Sequence, residues 1–155
     1  MTENRKEFKN AEVEKIVRDA MLNTQQQDKN EIIELIKIEG YPIFNSVIEF
    51  LTDFGGLHVY FKNQQNGIVN DDINFDLNHA FNLEVPERVF KDYIPRVKKE
   101  LCIIGTAYRD HFILLMSNDG NVYGGYDDYL CKISNTGIGA IEAIILNQSF
   151  IEIEL

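Results

Sequence analysis

Hydrophobic residues recur every three to four positions along the first third of the chain, which is the spacing of an amphipathic helix. This spacing predicts three helices: Ala11 to Leu22, Glu31 to Glu39, and a third that begins near Phe44. Asn10 is a suitable N-cap for the first helix, because its side chain can accept a hydrogen bond from a free backbone N–H. Gly40 can take the left-handed conformation that commonly ends a helix, so we expect it just after the second.

The third helix leads into the first strand through the segment VIEFLTDFGGLHVYF, from Val47 to Phe61. Its apolar positions cover a wide arc, so we expect this helix to lie centrally in the fold. After the two glycines, apolar and polar residues alternate with the period of a strand. The residues expected to build this junction are Phe50, Leu51, Phe54, Gly55, Gly56 and Leu57.

The middle of the chain shows weaker signals. Asn66-Gly67 predicts a tight turn, and a second strand is expected from Ile68 to Phe75. A short helix is expected from Asp76 to Phe81. Pro86 suits the first position of a further helix, whose apolar stripe we expect to break at Pro95.

The last third of the chain consists mainly of short strands separated by turns. The predicted strands are Leu101 to Gly105, His111 to Met116, Asn121 to Tyr126 and Tyr129 to Ile133. Gly137 and Gly139 are expected to precede a helix that starts at Ala140, and the chain to end in a strand or a packed tail. Helices first and an antiparallel meander in the C-terminal half predict a single α+β domain, with an antiparallel or mixed sheet flanked by helices.

Composition and charge limit the classes of protein that the chain can represent. Its 155 residues suit one domain, and no apolar run is long enough to cross a bilayer. The polar N-terminus lacks the apolar segment of a signal peptide, so we expect a soluble, cytoplasmic protein without membrane attachment. The net charge of −10 disfavours nucleic-acid binding and suits a basic protein partner, although solubility alone also explains an acidic surface.

No pattern of reactive side chains indicates an enzyme, a metal site or a cofactor. The three histidines fall in separate segments, without the spacing of common ligand motifs. Cys102 and Cys131 lie in predicted strands and are interpreted as buried thiols. Asp71-Asp72 and Asp127-Asp128 resemble paired catalytic carboxylates, but adjacent aspartates are far more often turn formers. We therefore expect no catalytic residue, no metal and no cofactor.

Two blocks of sequence resemble a known family when they are considered in order. The first is EFLTDFGGL, Glu49 to Leu57, which follows a helix ending in EGYP. The second is ELCIIGTA, Glu100 to Ala107, followed by HFILLMSNDGNVYGG, His111 to Gly125, and the closing IGAIEAII. Together they resemble the third branch of the SUKH superfamily over roughly residues 30 to 147. The resemblance divides the chain into an N-terminal helical arm, 1–30, and a SUKH-like domain, 31–155.

The resemblance implies a bacterial immunity protein that acts by binding rather than by catalysis. Such proteins are encoded beside secreted polymorphic toxins, often nucleases or deaminases, and neutralise the toxin's catalytic domain. Other members of the superfamily are scaffold-like regulators, so a non-catalytic protein-binding module is the alternative. The sequence leaves monomer and dimer equally open.

Turns that carry aromatic and charged residues are the candidate contacts with a basic toxin. Tyrosine and arginine are frequent hot-spot residues at interfaces, and aspartate complements a basic partner. The candidate toxin-binding residues are Tyr108, Arg109, Asp110, Tyr126, Asp127 and Asp128. Tyr123 and Tyr129 fit equally well as ordinary strand residues with one side in the core. The two turns are expected at opposite ends of the meander unless the connection crosses over.

Overall fold

The computed structural model describes residues 7–62 and 70–155, and in this part six helices and seven strands are present. The helices are α1 (Ala11–Met21), α2 (Lys29–Ile38), α3 (Asn45–Phe54), α4 (Leu77–Leu83), α5 (Pro86–Arg88, continued by Val89–Tyr93 and Ile94–Val97) and α6 (Gly137–Ile145). The strands are β1 (His58–Lys62), β2 (Asn70–Asn74), β3 (Leu101–Ala107), β4 (Phe112–Ser117), β5 (Val122–Tyr126), β6 (Tyr129–Ser134) and β7 (Ile151–Glu152). The turn predicted at Asn66-Gly67 lies outside the described residues.

The strands form one antiparallel sheet in which each strand pairs with the next along the chain, from β1 to β7. The predicted α+β domain with early helices and a C-terminal meander is therefore confirmed. Of the two sheet types that the sequence allows, the antiparallel one is present. β4 is the middle strand, which accounts for its nearly continuous apolar sequence.

The first helix begins at the predicted residue and both helices end within one residue of their predicted ends, whereas α2 begins at Lys29, two residues before the predicted Glu31. The Asn10 side chain accepts a hydrogen bond from the Val13 N–H at 3.0 Å, which is the predicted N-cap. Gly40 follows α2 with φ of +81°. In α1, Val13 and Val17 are fully buried in the core that the later elements share. The boundary after residue 30 stays a prediction.

The junction between α3 and β1 packs the centre of the fold. Leu51 and Leu57 have no exposed surface, and Phe50 lies against Phe75 with ring centroids 5.0 Å apart. Gly55 donates its N–H to the Leu51 carbonyl at 2.7 Å, which closes the last turn of α3. Gly56 has φ of +87°, where a side chain would be strained. The chain thus turns from helix to strand within three residues, Gly55 to Leu57.

Two predictions about later helices are also wrong. Helical backbone continues through Pro95 to Val97, because the π-helical turn Val89–Tyr93 widens the helix just before the proline. Gly137 and Gly139 lie inside α6, not before it, and Thr136 is the N-cap. A Cβ on Gly137 would collide with the Phe50 ring. The glycine therefore serves close packing rather than a turn.

Candidate functional site

The two candidate turns lie at the same end of the sheet, which corrects the expectation that they lie at opposite ends. β3 and β4 are joined by residues 108–111, and β5 and β6 by residues 127–128. The hairpin at 118–121 connects β4 to β5 at the opposite end of the sheet, so β5 runs back to the end that carries residues 108–111. In an antiparallel meander every second turn lies at the same end, so no crossover is needed.

Five aromatic rings form a cluster beside these two turns: Tyr108, Phe112, Tyr126, Tyr129 and Phe150. Phe112 is at its centre, with its ring centroid 5.1 Å from Tyr108 and 5.2 Å from Tyr126. Tyr126 and Tyr129 pair across the β5–β6 hairpin with centroids 5.1 Å apart. Tyr126 remains 44 % exposed, so the cluster presents an aromatic face to solvent. Tyr123, in contrast, is buried as a strand residue.

α5 holds the β5–β6 turn through the backbone of the turn. The Tyr93 hydroxyl donates to the Asp127 carbonyl at 2.9 Å, and Arg96 donates to the Asp128 carbonyl at 2.8 Å. Asp127 has φ of +47°, a left-handed conformation that aspartate tolerates better than most residues. Since these contacts use main-chain oxygens, both carboxylates remain exposed to solvent. Asp128 makes one long ion pair with Arg88, at 3.6 Å, in a solvated position.

Gly124 and Gly125 let aromatic side chains lie directly on β5. A Cβ on Gly124 would lie 2.8 Å from the Phe112 ring, and one on Gly125 would lie 2.7 Å from the Tyr93 ring. Adjacent strand residues point to opposite faces, so Phe112 and Tyr93 cover opposite faces of β5. The glycine pair therefore positions both the aromatic cluster and the tyrosine that holds the turn.

The β3–β4 turn has an unusual backbone. Tyr108, Arg109 and Asp110 are three consecutive non-glycine residues with φ of +55°, +57° and +69°. Such residues cost about 1 kcal/mol or more each, and persist where neighbouring groups fix them. Asp72 supplies this support: its carbonyl accepts the Tyr108 N–H at 2.9 Å, and its carboxylate accepts the Arg109 N–H at 2.7 Å.

Two histidine–aspartate pairs flank the same turn. His58 Nε2 lies 2.6 Å from Asp72 Oδ2, and His79 Nε2 lies 2.9 Å from Asp110 Oδ1. Partial burial favours a higher pKa for Asp110, but hydrogen bonds from His79 and Thr106 outweigh it and lower the pKa below its usual value. Asp110 is thus held as a carboxylate at the surface of the turn.

The sequence did not indicate the supporting residues. Asp72 is separated from His58 by 14 positions, and Asp110 from His79 by 31. His58 meets Asp72 because β1 pairs with β2, and His79 meets Asp110 because α4 packs beside β3. Arg109 carries no ion pair or side-chain hydrogen bond within the described parts of the chain, and its guanidinium is exposed.

The two thiols are buried in the core. Burial raises the pKa of Cys131 to about 11 and raises that of Cys102 further, so both stay protonated. Across residues 7–62 and 70–155, no three metal-binding side chains converge. A cavity of about 260 Å³ between α1 and α3 is lined by Met21, Thr24, Gln26, Asp53 and Leu57, which offer no nucleophile with an adjacent base.

None of the helices in the described part is long and apolar enough to cross a membrane.

Comparison with protein families gives one match. The sequence model described as SUKH-3 immunity protein matches residues 9–147, nine-tenths of the chain. The match begins before α1, so it includes a helix that the sequence blocks above leave out, and it ends before β7. Searches of curated proteins and of solved structures gave no significant match. Since the matched region takes in all six helices and six of the seven strands of the described residues, the chain belongs to the SUKH-3 immunity protein family.

Proposed function

We propose that this protein protects a bacterial cell by binding a cognate secreted toxin and blocking the toxin's active site. Family membership carries the general part of this proposal, since it implies toxin immunity through a protein partner, generally without catalysis. The finer part is that the toxin is a basic domain of the nuclease or deaminase type, neutralised in the cytoplasm by one immunity protein per toxin.

The proposed contact surface is the sheet end that carries Tyr108, Arg109, Asp110, Tyr126, Asp127 and Asp128. Two observations support this surface. The fold brings both turns to one end of the sheet, and hydrogen bonds with α5 and with Asp72 fix the backbones of the turns. Rigid turns lose little conformational entropy on binding, which favours affinity. The aromatic cluster adds contact area that a partner can desolvate.

Charge at this surface is acidic but not uniformly so. Asp110, Asp127 and Asp128 are exposed carboxylates, and the whole chain carries −10. These charges accelerate the approach of a basic domain. Arg109 lies among them with no partner of its own in the described residues, so the toxin should offer an acidic group or a carbonyl opposite it.

The direct test is protection of cells that express the toxin domain encoded beside this gene. Soluble co-expression of the immunity protein should restore growth, and the purified pair should form a 1:1 complex. The association rate should fall steeply with rising salt, because exposed charges are screened within about 10 Å at 0.1 M salt. Failure to protect despite soluble expression would refute the proposal and favour a scaffold role.

A further inference from the structure

The last residues of the chain form an edge of the sheet and lie outside the family match, which ends at residue 147. β7 pairs with β6, and the Ile153 N–H donates to the Leu130 carbonyl at 2.8 Å. Phe150 joins the aromatic cluster, with its ring centroid 6.4 Å from that of Phe112. We call the segment 150–155 the C-terminal tail; these contacts fix its residues 150–153 in place.

The C-terminal tail exposes two of its apolar side chains. Ile151 is 70 % exposed and Leu155 is 90 % exposed, while Glu152 and Glu154 also face solvent. Ile151 lies on β7, and an exposed apolar side chain on an edge strand favours pairing with another protein surface or aggregation. The two glutamates limit such aggregation and add negative charge next to the apolar residues.

One arginine joins the C-terminal tail to the β5–β6 turn. The Arg96 guanidinium donates to the Asp128 carbonyl, at 2.8 Å, and also to the Ile153 carbonyl. The same guanidinium also donates to Asp92, whose two carboxylate oxygens each lie 3.3 Å from Arg96 Nη1. The Arg96 side chain is only 10 % exposed, so this bridge is shielded from water. The tail and the turn are thus held in one fixed relation.

We propose that the C-terminal tail is part of the toxin-binding surface and sets which toxin is recognised. Its occupant is the same basic toxin domain, with an apolar patch that covers Ile151 and Leu155 and basic side chains that face Glu152 and Glu154. Continuity with the β5–β6 turn through Arg96 and the acidic character of both segments support this choice. The inference rests on the proposed function and adds to it a segment that lies outside the family match.

The test compares binding of the catalytically inactivated toxin domain encoded beside this gene, measured by calorimetry. Ile151→Ser and, separately, Leu155→Ser should each weaken binding about tenfold, as expected when an interface apolar contact is lost. The matched control is Ile38→Ser, since Ile38 is 75 % exposed at the end of α2. The control should bind like the wild type, and all three variants should keep the wild-type circular dichroism.

The outcomes separate the two proposals. If the wild type binds and neither tail variant loses affinity, the tail is not in the interface, and only this inference fails. If the wild type does not bind the toxin domain, the proposed function fails as well. A self-dimer that Ile151→Ser dissolves, seen by light scattering, would overturn the inference by assigning the tail to a second copy of the chain.

Discussion

Glu84 should make the stability of this protein depend on pH in the direction opposite to most carboxylates. Glu84 is 9 % exposed and accepts a hydrogen bond from the Tyr41 hydroxyl, and its second oxygen is buried with no hydrogen-bond partner in the described part of the chain. Burial raises the pKa of Glu84 from 4.5 to about 7, although the Tyr41 hydrogen bond opposes the rise. The folded protein therefore binds a proton more tightly here than the unfolded chain does.

The sign and size of the effect follow from this difference. The stabilising contribution of the protonated carboxyl is complete below pH 4.5 and is lost as pH rises through about 7. A full loss corresponds to about 3 kcal/mol, at about 1.4 kcal/mol for each pH unit between the two values. Such a change is a large fraction of the stability of a domain, so denaturant unfolding can resolve it.

The experiment measures the free energy of unfolding in urea, by circular dichroism because the chain has no tryptophan, from about pH 4.5 to about pH 8.5. Glu84→Gln cannot ionise, so its stability relative to the wild type should rise by about 3 kcal/mol across this range. Glu87→Gln, an exposed neighbour, is the matched control and should show no such trend. Parallel pH profiles for the wild type and Glu84→Gln would refute the reasoning.

Three further predictions concern the core. Gly125→Ala should destabilise the fold by about 1–3 kcal/mol in chemical denaturation, because the added methyl group meets the Tyr93 ring; an unchanged midpoint would contradict this packing. Val17→Ala should cost about 2 kcal/mol in the same assay, since Val17 is fully buried, whereas a loosely attached helix would show no loss. Cys102 and Cys131 should resist alkylation by iodoacetamide near pH 8 until the protein unfolds, as mass spectrometry would show; fast labelling of the native protein would rule out buried, protonated thiols.

The parts of the fold that local sequence determines could be predicted. The Asn10 cap, the Gly40 helix end and the Gly55-Gly56 junction each depend on residues within a few positions of one another. The helix through Pro95 could not be predicted, because a proline usually ends a helix and the sequence does not indicate the π-helical turn Val89–Tyr93 that precedes it. Tertiary packing outweighs a local breaker signal there.

The candidate site, too, could be predicted from the sequence only in part. The turns at residues 108–110 and 127–128 can be recognised in the sequence. Their position at the same end of the sheet follows from the single hairpin that separates them in the antiparallel meander. The arginine that holds the β5–β6 turn could not be identified from the sequence, because Arg96 lies 57 positions from Ile153 and 32 from Asp128. A charged side chain whose partners are distant main-chain carbonyls leaves no pattern in the local sequence.

The central claim is that the β5–β6 turn contacts a toxin, and one affinity measurement tests it most directly. Asp127→Asn combined with Asp128→Asn removes two charges yet keeps residues that tolerate the left-handed backbone at position 127. Glu12→Gln combined with Glu49→Gln removes two exposed charges from α1 and α3 and is the matched control.

Calorimetry should show 1:1 binding of the wild type to the inactivated toxin domain, with affinity about tenfold weaker or more in the turn variant and nearly unchanged in the control. Equal affinity of the turn variant and the wild type would contradict the proposed surface, and absence of wild-type binding would contradict the immunity function itself.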